Sequence, residues 1–81
     1  MQPAFVDQII GSHVEQRRLQ LGLTASDLAS RLELGELDVL AYERGRRRFS
    51  ASALMKFAVA LDCSAVALLN APPGPFPRAV N

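Results

Sequence analysis

The sequence predicts an all-α domain built from five short helices, and three observations carry that prediction. Apolar residues recur at helical spacing in successive windows of the chain. Residues that start or stop helices separate those windows: Thr24, Ser50 and Ser64 as caps, Gly22, Gly35 and Gly45 as breaks. Finally, Thr24 to Gly45, TASDLASRLELGELDVLAYERG, reads as two short helices joined by a tight turn, with arginines directly after the second.

Composition narrows the function class. The 81 residues make one small domain whose core must be efficient, and an apolar fraction of 49% argues against disorder of the whole chain. A net charge of +1 does not mark a nucleic-acid binder, but four of the nine basic residues cluster at Arg44, Arg46, Arg47 and Arg48. Cys63 is the single cysteine and His13 the single histidine, so neither an internal disulfide nor a Cys/His metal site is expected, and no cofactor. No Ser/His/Asp set, glycine-rich phosphate loop or paired metal ligands can be assembled from them, which sets enzymes aside. The chain shows no signal peptide and no apolar run near the length of a membrane span, so a cytoplasmic location and no membrane partner are expected.

Met1 to Ala4 read as a frayed start, with Pro3 limiting helix upstream. From about Val6 to Leu21, Ile10, Val14 and Leu21 form one apolar stripe, with Ser12, His13, Glu15, Gln16 and Gln20 mostly outside it. Gly22 is placed to end this helix in the left-handed conformation. His13 is expected at the surface. Thr24 then caps a second helix, and Asp27 completes a box-like T-x-x-D. Leu28, Ala29 and Leu32 face inward; the alanines and serines keep the helix slim enough for a close neighbour. A turn at Glu33-Leu34-Gly35 leads to a third helix, 36–44, ended by Gly45.

Arg46 to Phe49 form a loop, and Ser50 caps a fourth helix whose Leu54, Phe57, Ala58 and Leu61 make an amphipathic face. Asp62, among the few residues that tolerate positive φ, breaks the chain with Cys63, read as a small buried hydrophobe. Ser64 caps a fifth helix offering Val66, Leu68 and Leu69 for packing, so the domain spans residues 6–70. Residues 71–81, APPGPFPRAVN, hold four prolines and a glycine and are expected to be an extended or disordered tail. A polyproline-type segment binding a partner's groove through Phe76 is the alternative.

Several of these residues together resemble the phage repressor and Cro family of helix-turn-helix domains, also called the XRE family. They are Arg18-Leu-Gln-Leu-Gly22-Leu23-Thr24, Asp27-Leu28-Ala29, Glu43-Arg44-Gly45-Arg46-Arg47, then Leu54, Lys56, Ala58, Ala60-Leu61 and Ser64 to Leu69. The resemblance covers about Ile10 to Asn70. It implies a five-helix repressor-like fold with a central helix-turn-helix, and an ion pair between Arg18 and Glu43 that suits a guanidinium fork. It also implies a sequence-specific transcriptional regulator that binds double-stranded DNA, usually as a homodimer, in a cytoplasmic, nucleoid-associated setting of bacterial or phage type. Matching positions give Gly35, Glu36, Leu37 and Ala41, with Leu40 beside them, as base contacts in the major groove. Thr24, Ala25, Arg44, Arg46, Arg47 and Arg48 match the phosphate contacts, the first two through free N–H groups at a helix start. The dimer surface is expected on Ala65 to Leu69, with help from the tail.

The sequence departs from that pattern where it would read bases. At about 100° per residue, with Val39 inward, Glu36, Leu40, Leu37 and Ala41 fall on the outward arc and Tyr42 falls toward the core. A typical reader of bases offers Gln, Asn, Arg, Ser or Thr there; here the arc carries one carboxylate, two leucines and a methyl, with Asp38 close by. Three readings stand side by side. Glu36 accepts from a cytosine amino group while Leu37 or Leu40 touches thymine methyls; or an exposed Leu37/Leu40 face binds a protein partner; or Leu40 is covered by the fold and nothing binds. Glu33 stands where the family usually has Gly, so either it is strained by about 1–2 kcal/mol or the turn differs. Gly35 replaces the usual Ser or Thr cap, and Ala25 a frequent phosphate-contacting Gln.

Overall fold

A computed structural model describes residues 4–70, which form α1 (Phe5–Gln20), α2 (Ala25–Leu32), α3 (Glu36–Glu43), α4 (Ala51–Ala60) and α5 (Ala65–Leu69). The expectations for Met1 to Pro3 and for the tail 71–81 lie outside the described residues. From α2 onward, each helix starts at the residue expected to precede it. Thr24 Oγ1 accepts from Asp27 N at 3.0 Å while Thr24 N donates to Asp27 Oδ2 at 2.9 Å, a reciprocal box. Ser50 and Ser64 accept from Ala53 N and Ala67 N at 3.0 and 3.1 Å. Gly35 has no side chain to cap α3; instead its own N–H donates to Asp38 Oδ2 at 3.3 Å.

Four helix ends share one device. Gly22, Glu33, Gly45 and Asp62 all take positive φ. The next residue's N–H reaches back five positions, as from Leu23 to Arg18 O, Leu34 to Ala29 O, Arg46 to Ala41 O and Cys63 to Ala58 O, at 2.9–3.0 Å. These are Schellman motifs, which satisfy carbonyls that a helix end otherwise leaves open. Glu33, at φ 59°, takes the left-handed conformation itself and carries the strain of about 1–2 kcal/mol.

The core gathers Ile10, Val14, Leu28, Val39, Phe57, Leu61 and Leu68, one or more from every helix. Tyr42, Phe49 and Phe57 form an aromatic trio with ring centroids 4.8–5.3 Å apart, inward as expected for Tyr42. Leu21 does not complete the stripe of α1. The helix ends at Gln20, Leu21 turns outward to 37% exposure, and Arg18 takes the buried position. His13 is not a free surface residue either: its Nδ1 lies 2.7 Å from Leu68 O and ties α1 to the end of α5.

Long polar side chains bind the helices where the backbone leaves acceptors unfilled. Arg17 donates to Leu61 O and Asp62 O, and Arg31 to Ala60 O, each at 3.0 Å, so two arginines close the C-terminal end of α4. Buried Asp7 accepts from Ala4 N at 2.7 Å and from Phe49 N at 2.8 Å, fastening the start of α1 to the loop before α4.

Gly11 sets the approach of α1 to α3, since a Cβ there would stand 2.6 Å from the Glu43 carbonyl oxygen and closer still to that of Tyr42. Gly11→Ala should therefore lower stability by about 1–3 kcal/mol through overpacking, although helix propensity alone would raise it by about 1 kcal/mol. Thermal melts decide this, and an unchanged or higher Tm would refute the close approach. Asp27 supplies a pH signature. Thr24 holds its carboxyl below the ordinary 3.8, first through the backbone N–H and then through the hydroxyl. A depressed folded value means stability that is present above the ordinary value and lost as pH falls through the depressed one. Asp27→Asn should thus melt earlier than the parent at neutral pH, and the gap should close in acid; a gap independent of pH would contradict the assignment.

Candidate nucleic-acid interface

The C-terminal ends of α1 and α3 are held together by a buried charge pair. Arg18 Nε donates to Glu43 Oε2 at 2.6 Å and Nη2 to Oε1 at 3.0 Å, a two-pronged fork, while Nη1 donates to Leu23 O at 3.0 Å. Both residues are buried, and the hydrogen bond to Glu43, working against burial, raises the guanidinium pKa further. One side chain thereby fixes the end of α1, the linker to α2 and the end of α3.

That anchoring decides which residues of α3 face outward. Val39 and Glu43 are buried and Tyr42 half-buried, so the outer surface belongs to the first turn. Gly35 and Glu36 are exposed and Leu37 is 80% exposed. Leu40 and Ala41 are half-buried, and Leu40 packs against the core. The outward apolar face expected from Leu37 and Leu40 together therefore reduces to Leu37, because the rotation that buries Val39 and Glu43 brings Leu40 against the body of the domain. At the start of α2, Thr24 is exposed, whereas the Ala25 side chain is buried and leaves only its main chain for a ligand.

After α3 the chain turns at Gly45, and Arg44, Arg46, Arg47 and Arg48 are all exposed. Gly45 combines φ 74° with a close approach to Gln8, whose Cα would lie 2.6 Å from an added Cβ, so the loop is pinned against α1. Arg47 is held in place: Nη1 lies 2.9 Å from Asp38 Oδ1, and the guanidinium stacks 5.1 Å from the Tyr42 ring centre. Among the described residues, Arg44 and Arg46 make no ion pair. Thr24, Gly35 to Leu37 and the arginine loop thus belong to two helix starts and one loop, all positioned by the Arg18–Glu43 junction.

Sequence reasoning did not find the bond from Asp38 to Arg47. The signal was an acidic residue in the first turn of the eight-residue α3, nine positions before an arginine of the loop that follows it. Asp7 was missed for a different reason: with Ala4 as the cap residue, no Ser or Thr announced a helix start. Other chemistry is sparse. An open apolar groove of about 410 Å³ runs between α2 and α4, lined by Leu32, Met55 and Val59. Among the described residues no three His, Cys, Asp or Glu side chains come together as a metal site, and no helix is long and apolar enough to cross a membrane.

Comparison with known proteins agrees with this architecture. The family model described as a helix-turn-helix domain matches residues 9–71. An uncharacterized transcriptional regulator in the ATPase CF(0) region of Rhodospirillum rubrum is 45% identical over 56 residues, 69% of this chain and 52% of that protein. The chain thus spans about half the length of that curated relative. The restriction-modification controller protein C.AhdI from Aeromonas hydrophila superposes with a TM-score of 0.72 at 31% identity, over 76% of this chain and 94% of its own. The master regulator for biofilm formation SinR, solved in complex with DNA, superposes with a TM-score of 0.68 at 29% identity, over 75% of this chain and 98% of its own. These relatives are regulators rather than enzymes. The chain belongs to the helix-turn-helix domain family, of the repressor and Cro (XRE) type.

Proposed function

We propose that the domain is a sequence-specific DNA-binding transcriptional regulator, reading the major groove with helix 36–44 and holding phosphates with the loop 44–48. The observation that carries this reading is the exposed first turn of an α3 whose remaining residues are buried or half-buried, followed by four exposed arginines. The regulators it resembles, one of them solved on DNA, support it. Glu36 is suited to accept from a cytosine amino group and Leu37 to cover a thymine methyl, with Gly35 and Ala41 lining the approach and Leu40 backing them. The main-chain N–H of Ala25, with the Thr24 hydroxyl beside it (the Thr24 N–H being given to Asp27), is offered to one phosphate, and Arg44, Arg46, Arg47 and Arg48 offer guanidinium groups to others.

A second reading rests on the exposure of Leu37: the same fold serving as a protein-interaction module. Selection from random duplex DNA at two salt concentrations separates the two. A regulator retains an enriched motif, and Leu37→Ala changes the motif; a protein module retains nothing. Replacing Arg46 and Arg47 together by Ala should weaken binding to all sequences and flatten the dependence of log affinity on log salt by about 0.9 for each phosphate no longer neutralised. Unchanged affinity and slope would remove the loop from the interface.

Regulators of this type read paired half-sites as dimers, and α5 offers the surface. Leu68 is its buried residue, while Val66 is 62% and Leu69 45% exposed on the same short helix. Sedimentation of the wild type should show a dimer and that of Val66→Asp/Leu69→Asp a folded monomer; identical profiles would place the contact elsewhere.

A further inference from the structure

We propose that Asp38 is the internal counter-ion of Arg47, occupying in the free protein the place of a DNA phosphate and so limiting how tightly the arginine loop holds unselected DNA. The inference rests on the DNA-binding reading and adds to it a residue that sets how strongly the loop holds any duplex. Both partners are ordered before they meet. Asp38 Oδ2 accepts from Gly35 N, which aims Oδ1 along the side of α3 toward the loop. Arg47 lies over Tyr42, whose ring is fixed by Phe49 and Phe57 at 4.8 and 4.9 Å, and its Nη1 then reaches Asp38 at 2.9 Å.

Exposed ion pairs contribute little when two long side chains must be immobilised to form them. Here a backbone hydrogen bond and an aromatic stack already restrict them. Each side chain is nevertheless about half exposed, 47% for Arg47 and 45% for Asp38, so an incoming phosphate can reach the guanidinium. A phosphate binding there has to displace or share the carboxylate, and the charge Arg47 brings to DNA is offset by one negative charge 2.9 Å away. The offset acts on every duplex alike, because a phosphate carries no sequence information. It therefore lowers background binding, and discrimination is left to the base-facing turn Gly35 to Leu37.

The test uses the whole chain and mixed-sequence duplex DNA at several salt concentrations. Asp38→Asn keeps an oxygen for the Gly35 N–H and removes the charge; circular dichroism and melting check the fold. Affinity for mixed duplex should rise about 2- to 5-fold, the range of exposed ion-pair energies, with the salt slope steeper by up to about 0.9. The same substitution in an Arg47→Ala background should gain much less, since the pair no longer exists to be broken. Equal gains in both backgrounds would show general repulsion rather than pairing and overturn the proposal; so would an unchanged or weaker affinity of Asp38→Asn. Failure of the wild type to bind duplex at any salt would instead strike the DNA-binding reading, and the inference with it, before a variant is compared.

Discussion

The fork between Arg18 and Glu43 is the contact on which the arrangement of the helices depends. It joins residues 25 positions apart, and it compensates a carboxylate and a guanidinium that would each be costly to bury alone. With both prongs made and the third guanidinium nitrogen on Leu23 O, no buried side-chain polar atom among the described residues lacks a partner. Such a pair adds modest net stability compared with apolar packing. Loss of one partner is another matter, since it strands a buried charge at a cost of about 3–5 kcal/mol. What the pair contributes is uniqueness: α3 can turn about its axis only by breaking two directional bonds.

The two ends of α3 are fixed by unrelated means. Its C-terminal end is drawn onto α1 by Glu43 and by the missing side chain at Gly11. Its N-terminal end follows a strained Glu33, and the Asp38 carboxylate reaches back to the N–H of Gly35. A glycine at position 33 would relieve the strain, so the glutamate is held there by the surrounding bonds, Glu33 N to Ser30 O and Leu34 N to Ala29 O. The consequence is a helix rigid where it meets the body and open where it meets solvent.

Local signals made the helices legible in the sequence. Thr24 with Asp27, Ser50, Ser64, Gly22 and Gly45 each act within four or five residues, and those elements appear where they were expected. The faces turned to solvent were legible only in part. Leu21, placed in the buried stripe by periodicity, lies just past the last turn of α1, where the chain leaves the helix and its side chain goes with it. His13 was read as surface, and the setting of Leu40 was left among three alternatives, because their partners, Leu68 O and the core beneath α3, lie far away in sequence. The Arg18–Glu43 pair was reached through family resemblance, and nothing in the local pattern of either residue would have joined them.

Arginine shows why a charge count said so little about this chain. Arg17, Arg18 and Arg31 are committed to the fold: two close the end of α4 and one locks α1 to α3. Four others stand in the loop after α3, and one of those is set against Asp38. A net charge of +1 thus averages two populations with different duties. Arg18 is neutralised by a buried carboxylate, while Arg17 and Arg31 give their N–H groups to neutral carbonyls at the end of α4 and keep their charge there. The loop arginines are exposed, so the positive potential a phosphate would meet arises from a few residues at one end of one helix. For a domain whose first α3 turn is acidic and apolar, that local field, and how much of it Asp38 cancels, governs approach to a polyanion more than the overall charge does.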